Sequence, residues 1–483
     1  MTTNVRRNAR WTRGAARLAL VSLTAVATAA LVTACGGGGG GGGTSVTPDR
    51  CSVNAEKQFV LDAARSWYLF PELLPANVNI ASYATADDLL DALTAQARAQ
   101  GKDRFYSYLT TRQEDQALFG EGEFVGFGFR SRVEGSRLLI LDAFENTPAS
   151  DGGLRRGAEI LAIDYRDGRG YVPMSTILVN DPDLTGAFGP ATVGVQRGFR
   201  YRVGGATTEV TLTKRLNTIT PISPDGGVRV LSLPLNPSVQ VGYVALRTFI
   251  STAQAPLLDA FEDFRQRGID YFIVDLRYNG GGLVSVGDLL GDLLGGDRRP
   301  TDLYAGLRFN PARASNNENR FFQPRAESIT PLKIAFITTG STASASEMTI
   351  NSMDPWPVEV AIVGSDTFGK PVGQSAFDLS GCDTRLRLVT FRTVNVLERG
   401  DYYNGLADEV LDCAADDDEG QPMGDPVEAS TAAALAWIGN SSTCSAMTAA
   451  AGMAQQKLGV EAERRYPVPE RPTPAQLWLP GLF

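Results

Sequence analysis

Apolar and polar positions change their rhythm along the chain, and each rhythm predicts a different kind of element. From Cys51 to about Arg112 the period is helical. Phe59, Ala63 and Trp67 recur at i, i+4, as do Val60, Ala64 and Tyr68, giving one broad apolar stripe. A second helix is predicted from about Ala86 to Gln100, with Leu89, Leu90, Leu93 and Ala97 inward and Gly101 as its stop. Both faces read as core, and nothing in this stretch points to chemistry. From about Gly120 to Arg215 short runs separated by glycine turns predict strands. From Gly226 to about Gly439 strand and helix alternate, which implies βα units with parallel pairing. Gly242 to Phe249, Tyr271 to Leu276, Lys333 to Thr338 and Val358 to Val363 are the predicted strands here. Ala255 to Arg267 is a predicted helix with Leu257, Leu258, Phe261 and Phe264 inward and Gly268 as its C-cap.

The first 34 residues have no such pattern. Arg6, Arg7, Arg10, Arg13 and Arg17 precede an apolar stretch from Leu18 to Ala34, the layout of an export signal. Val32-Thr33-Ala34-Cys35 resembles a bacterial lipobox, which implies a lipidated Cys35 and a membrane anchor; the alternative is an ordinary signal peptide or an uncleaved anchor. Gly36, where inner-membrane retention would favour aspartate, points to the outer membrane by resemblance to bacterial sorting rules. The glycine run Gly36 to Gly43 makes a flexible tether.

Composition narrows the partners. The formal charge of -9 becomes more acidic once the arginines of the leader are removed, which argues against nucleic acid. The chain has no histidine. With no C-x-x-C pair either, a zinc site is not expected, and no cofactor is implied. Cys51, Cys382, Cys413 and Cys444 allow three pairings in an oxidising compartment. Cys382 with Cys413 is the expected pair, since both flank strand-like segments of one domain, leaving Cys51 for Cys444. Four buried thiols are the alternative.

The candidate chemistry lies where the strand Lys333 to Thr338 breaks at Gly340 and small residues lead into a helical pattern. Ser341-Thr342-Ala343-Ser344-Ala345-Ser346-Glu347 is a serine-rich elbow at a helix N-terminus. Ser344 with Glu347 also fits a capping box, a purely structural role. Without histidine, a serine nucleophile is left with lysine as its base. Of the lysines, Lys370 alone lies in a glycine turn that follows a strand beside the elbow.

The elbow followed by Gly364-Ser365-Asp366-Thr367-Phe368-Gly369-Lys370-Pro371-Val372-Gly373-Gln374 is similar to the C-terminal processing (tail-specific) serine peptidase family. Its usual form is A-S-A-S-E and, after a spacer, G-x-x-T-x-G-K-G-x-x-Q. The resemblance implies Ser344 as nucleophile, Lys370 as general base and Gln374 as the residue that supports the lysine. Two departures bear on the angle of Lys370: Pro371 replaces the glycine that follows the lysine, and Asn351 to Val358 makes the spacer longer. Asp275-Leu276-Arg277-Tyr278-Asn279-Gly280-Gly281-Gly282 resembles the family's D-L-R-x-N-x-G-G. The implied oxyanion donors are the backbone N–H groups of Gly281 and Ala345; taken alone, the glycines are a tight turn. No G-K-[ST] follows these glycines and no S-x-x-K occurs, which sets aside a phosphate loop and a β-lactamase-type site.

Gly126-Phe127-Gly128-Phe129 resembles the carboxylate-binding loop of PDZ domains, and Pro148 to Asp164 resembles their later stretch. This implies a groove that adds a polypeptide C-terminus to a sheet edge, or a spacer that keeps only the fold. Asp416 to Glu419 is expected to be a solvated acidic turn. The proline-rich end, Pro467 to Phe483, is expected to fray, although its apolar Leu482-Phe483 could enter the chain's own groove.

The expected architecture is a multi-domain α/β chain. It comprises a signal peptide (1–34), a lipidated cysteine and tether (35–50), a small N-terminal helical domain (51–115), a PDZ domain (116–220), a crotonase-like α/β peptidase core (221–440) and a C-terminal extension (441–483). The expected function is that of an exported, lipid-anchored serine endopeptidase acting on polypeptides with apolar C-termini through a Ser-Lys dyad. The alternative is a PDZ-bearing scaffold lipoprotein with a degenerate core.

Overall fold

The computed structural model describes residues 50–447, 464–469 and 472–483. The export signal, Cys35 and the glycine tether lie outside the described residues. The chain folds as a mixed α/β structure with a helical N-terminal region, as expected. Among the described residues no helix is long and apolar enough to cross a membrane.

A six-stranded sheet forms the centre. The hairpin Val228–Leu233 and Asn236–Ala245 leads into the parallel series Tyr271–Asp275, Lys333–Thr338, Glu359–Gly364 and Asp412–Ala414. The near-continuous apolar runs arise because both faces are covered. Phe272, Val274, Ile334, Phe336, Val360 and Ile362 face Phe261, Phe264, Leu290, Met348 and Ile350 from the helices Gln254–Arg267, Val284–Leu294 and Ala345–Met353. The alternate residues Ile273, Ala335, Ile337, Ala361 and Val363 face Ala434, Leu435 and Trp437 of the helix Ala429–Gly439. Each such side chain contributes about 1.5–3 kcal/mol of burial.

A second sheet orders Tyr108–Thr111, Thr384–Val394, Leu303–Phe309 and Glu318–Phe321, with Val372–Asp378 also paired to the long strand Thr384–Val394. The helices Val53–Trp67 and Ala86–Ala99 bury their stripes on it. Val60, Leu61, Leu89 and Leu93 share a core with Val372, Leu386, Leu388 and Val389. The N-terminal region therefore has no separate core of its own, because Tyr108–Thr111 is an edge strand of this sheet.

The glycine-rich stretch forms a β unit. Phe129–Glu134, Arg137–Ala143, Glu159–Asp164, Gln196–Val203 and Ala206–Thr213 pair in a sheet packed on Phe127, Phe129, Phe188 and Phe199.

Three expectations are corrected here. The disulfides join Cys51 to Cys382 and Cys413 to Cys444, with Cα separations of 5.6 and 4.9 Å, rather than Cys382 to Cys413. The first helix packs on the strand that follows Cys382, which brings Cys51 there; Cys444 follows the helix that covers the face of Cys413. The acidic run is a solvated turn only in part: Asp416 is exposed, but the Asp417 side chain is 7% exposed and accepts from Arg156 at 2.7 Å, Arg132 at 2.9 Å, Arg277 at 3.3 Å and the Tyr278 hydroxyl. Burial alone would raise its pKa, but Arg156, Arg277 and Arg132 hold it well below the usual carboxylate range. Finally, the C-terminal end does not fray: Trp478, Leu479, Leu482 and Phe483 are buried, because the segment carries apolar side chains that fit the two units beside it.

Asp417 thus joins the β unit, through Arg132 and Arg156, to the end of the central strand, through Arg277. Asp417→Ala takes from Arg156 the carboxylate it pairs with and removes one partner each from Arg132 and Arg277, and the expected loss of stability is about 3–5 kcal/mol, read by urea denaturation.

Candidate active site

The strand Lys333–Thr338 delivers the chain to Ser344, which precedes the helix Ala345–Met353 at φ 59 and ψ −116. A non-glycine residue in this region costs on the order of 1–3 kcal/mol and persists only where neighbours hold it. They do. The Asn279 carbonyl accepts the Ala343 N–H and the Ser346 hydroxyl, both at 3.0 Å, and the Leu276 carbonyl accepts the Thr342 hydroxyl at 2.8 Å. From Ser341 to Met353 every residue except Ser344 is buried. The strained turn presents one hydroxyl at the end of a sheet.

The glycine turn after Tyr271–Asp275 lies against this elbow. Gly281 has φ +100, and a Cβ there would sit 2.7 Å from Ser344 Cβ and 2.9 Å from Ala345 N, so only glycine fits. Ala345 N–H opens its helix and is one of the donors with no intrahelical partner. The sequence expectation for Gly281 needs correction. Its N–H is given to the Asn279 side-chain oxygen at 2.9 Å, in a local turn, and is not open to a substrate oxygen in this structure.

Lys370 reaches the same region from the turn between Glu359–Gly364 and Val372–Asp378. Its Nζ lies 4.0 Å from the Trp478 ring centre and 4.7 Å from that of Tyr106. Burial pushes the amine down to about 7, against the pull of Asp103 and Glu347. Among the described residues no hydrogen bond joins it to Ser344 Oγ. Gln374 is also placed differently from expectation. Its amide nitrogen donates to the Tyr106 carbonyl at 3.0 Å, and a bulge between Gly373 and Gln374 breaks the alternation that would have put it on the lysine's face.

Glu347 ties the two turns together. It is 0 % exposed, and its carboxylate accepts the N–H groups of Ser344 at 3.0 Å, Gly369 at 2.7 Å and Lys370 at 2.8 Å. Burial pushes it up to about 7, against these donors and the Thr367 hydroxyl. The S-x-x-E spacing signalled its bond to Ser344; its bonds across to Gly369 and Lys370 had no local signal. Nor did Arg104, which donates to the Phe368 carbonyl at 2.8 Å and also to that of Gly369, nor the Tyr106 ring.

The remaining sequence-predicted residues lie in the β unit. The N–H groups of Gly128 and Phe129 donate to the carbonyl oxygen of Phe483 at 2.8 and 3.3 Å. Gly126 accepts from Asn217 at 2.9 Å, and Phe127 is buried in the aromatic core. Among the described residues no group of three or more acidic or thiol side chains is arranged to hold a metal ion.

The strained serine elbow and the turn that carries the buried lysine follow two neighbouring parallel strands, Lys333–Thr338 and Glu359–Gly364. Residues 240–400 match the model of peptidase family S41, and residues 55–108 match that of the peptidase S41 N-terminal domain. Over these two stretches the chain is similar to peptidase family S41. It is similar to the carboxyl-terminal-processing protease of Synechocystis sp., with 27% identity over 54% of this chain and 56% of that protein. It is also similar to carboxyl-terminal-processing peptidase 1, chloroplastic, of Arabidopsis thaliana, with 26% identity over 53% of this chain and 49% of that protein. The chain thus spans about half the length of these curated relatives. Among solved structures, a candidate S41 protease from Bacteroides fragilis shares the fold at a TM-score of 0.62 and 22% identity, over 79% of this chain and 97% of that one.

Glu347→Gln places an amide nitrogen against backbone donors that need an acceptor. The expected cost is about 1–3 kcal/mol of stability in urea denaturation, together with loss of Ser344 reactivity toward a fluorophosphonate probe.

Proposed function

We propose that the chain is a serine endopeptidase that hydrolyses peptide bonds in exported polypeptides by a Ser344–Lys370 dyad. The observation that carries this reading is the pairing of a strained, partly exposed serine with a buried lysine depressed to about 7, both turns held by Glu347. Neutral Lys370 takes the proton of Ser344 as Oγ attacks the substrate carbonyl carbon. The oxyanion is held by the Ala345 N–H with a donor of the Gly280 to Gly282 turn. The tetrahedral intermediate collapses as the C–N bond breaks and the leaving amine receives the proton from Lys370, leaving an ester on Ser344; neutral Lys370 then deprotonates a water that attacks the ester, and returns that proton to Ser344 Oγ as the acid is released.

The β unit acts as a PDZ domain that binds substrate C-termini or gates the site. Its support is the Gly126 to Phe129 resemblance and the edge of Phe129–Glu134, which pairs an extended segment. The lipid anchor at Cys35 and a cell-envelope location rest on the leader sequence. A second reading, a scaffold with an inactive core, is favoured by Pro371 and by the missing Ser344–Lys370 hydrogen bond. A fluorophosphonate probe separates the two, because a scaffold leaves Ser344 unlabelled.

Cleavage of an unfolded protein is the decisive assay for the dyad. Ser344→Ala and Lys370→Ala should each lower turnover by at least about 10³-fold, since the pair acts as a unit. Lys370→Arg should be equally inactive, as a guanidinium keeps its proton. The base works deprotonated, so activity should be lost as pH falls through about 7 and level off above it. Wild-type turnover by Lys370→Ala would sink the mechanism.

For the anchor, Cys35→Ser should move the protein out of the membrane fraction, because each buried acyl CH₂ contributes about 0.8 kcal/mol. An unchanged membrane fraction removes the lipoprotein reading.

A further inference from the structure

The segment Thr473–Phe483 contains no charged residue and lies in two places at once. At one end, Leu482 bridges Arg130 in antiparallel register, and Phe483 donates to the Phe129 carbonyl at 3.0 Å. Gly128 and Ser131 donate to the carbonyls of Phe483 and Gly481, each at 2.8 Å. The Phe483 ring sits 4.2 Å from that of Phe188, inside the aromatic core of the β unit. At the other end, the short helix Pro474–Trp478 crosses the candidate active site. The Trp478 ring lies over Lys370 Nζ at 4.0 Å, and its indole N–H donates to the Tyr108 hydroxyl at 3.0 Å. The Trp478 carbonyl rests on Gly280, where an added Cβ would be only 2.4 Å away.

These contacts have the form of peptide recognition. Gly481 to Phe483 pairs with Gly128 to Ser131 through main-chain hydrogen bonds, beside Arg464–Arg465, which pairs with Val133 and Glu134 on the same edge, and an apolar side chain fills the adjoining pocket. The same segment stands between solvent and the amine that must reach Ser344. A polypeptide laid over the Gly280 to Gly282 turn would collide with Trp478.

We propose that Thr473–Phe483 is a ligand in cis that occupies the Phe129 to Ser131 end of that strand edge and plugs the Ser344–Lys370 site, and that another polypeptide with an apolar segment opens the molecule by taking its place. This rests on the Ser-Lys reading above. Because the competitor is tethered, its effective concentration is high, and only chains that present such a segment at high local concentration or with better complementarity displace it.

The test compares the full chain with Phe483→Asp, which puts a charge into the aromatic pocket, and with Trp478→Ala, which uncovers Lys370 but leaves the edge pairing intact. The readouts are the rate of fluorophosphonate labelling at Ser344 and the fluorescence anisotropy of a labelled synthetic peptide with the sequence of Thr473–Phe483. Phe483→Asp should label on the order of tenfold faster than the parent and bind the peptide about tenfold more tightly, as expected when the binding-competent fraction rises. Saturating peptide should slow its labelling again. Because Trp478 also keeps water from Lys370, its alanine variant is compared with the parent on the alkaline plateau, where the amine is neutral in both; there Trp478→Ala should label faster with unchanged peptide binding. Equal labelling and equal peptide binding by all three proteins overturn the proposal. If Phe483→Asp does not fold, equal labelling by Trp478→Ala and the parent overturns it alone. If none of the three is labelled, yet Phe483→Asp binds the peptide more tightly than the parent, docking in cis stands and the serine chemistry is what has failed.

Discussion

One buried carboxylate, that of Glu347, holds the site together. It accepts backbone donors from two turns that are separated in sequence: Ser344 on one side, Gly369 and Lys370 on the other. Each bond is charge-assisted and removed from water, which makes it strong when formed and costly when broken. The strain at Ser344 depends on it. So does the direction from which Lys370 enters, since the turn that carries the lysine has its N–H groups fixed before the side chain begins.

The surroundings of Lys370 come from two distant parts of the chain. Tyr106 arrives from the N-terminal region, packed on Phe368 of the lysine's own turn, and Trp478 from the C-terminal segment. Together they remove water from the amine, and that desolvation is the largest influence on its proton affinity. The N-terminal helices belong to this arrangement. They brace the sheet whose edge strand Tyr108–Thr111 follows Tyr106, and Arg104 in the same stretch holds the lysine turn by its carbonyls.

A comparable economy joins the β unit to the central sheet. Arg277 follows the strand Tyr271–Asp275, is fully buried, and balances its charge on Asp275, Glu428 and Asp417. Asp417 also takes Arg132 and Arg156 from the β unit. Buried ions of this kind do little for net stability, but they tolerate few alternative arrangements, so the β unit is kept in register with the glycine turn.

Much of the fold was legible in the sequence because local pattern and local physics agree there. The apolar run Lys333 to Thr338, the helix Ala255 to Arg267 with Gly268 at its end, and the helix from Ala86 each follow from periodicity and a stop residue; the strand Gly242 to Phe249 was legible too, though it ends at Ala245. The serine elbow and the glycine turn were legible for the same reason, since small residues at those spacings are what a strained turn and a close backbone approach require. What tertiary structure alone decided are the pairings over long separations. Glu347 to the lysine turn, Gln374 to Tyr106 instead of to the amine, Cys51 to Cys382, Asp417 to its arginines and Trp478 to Lys370 have no sequence period to announce them. Each is fixed by which surfaces meet when the sheets close, and a hydrogen bond or an ion pair between distant residues exists only once that packing has been chosen.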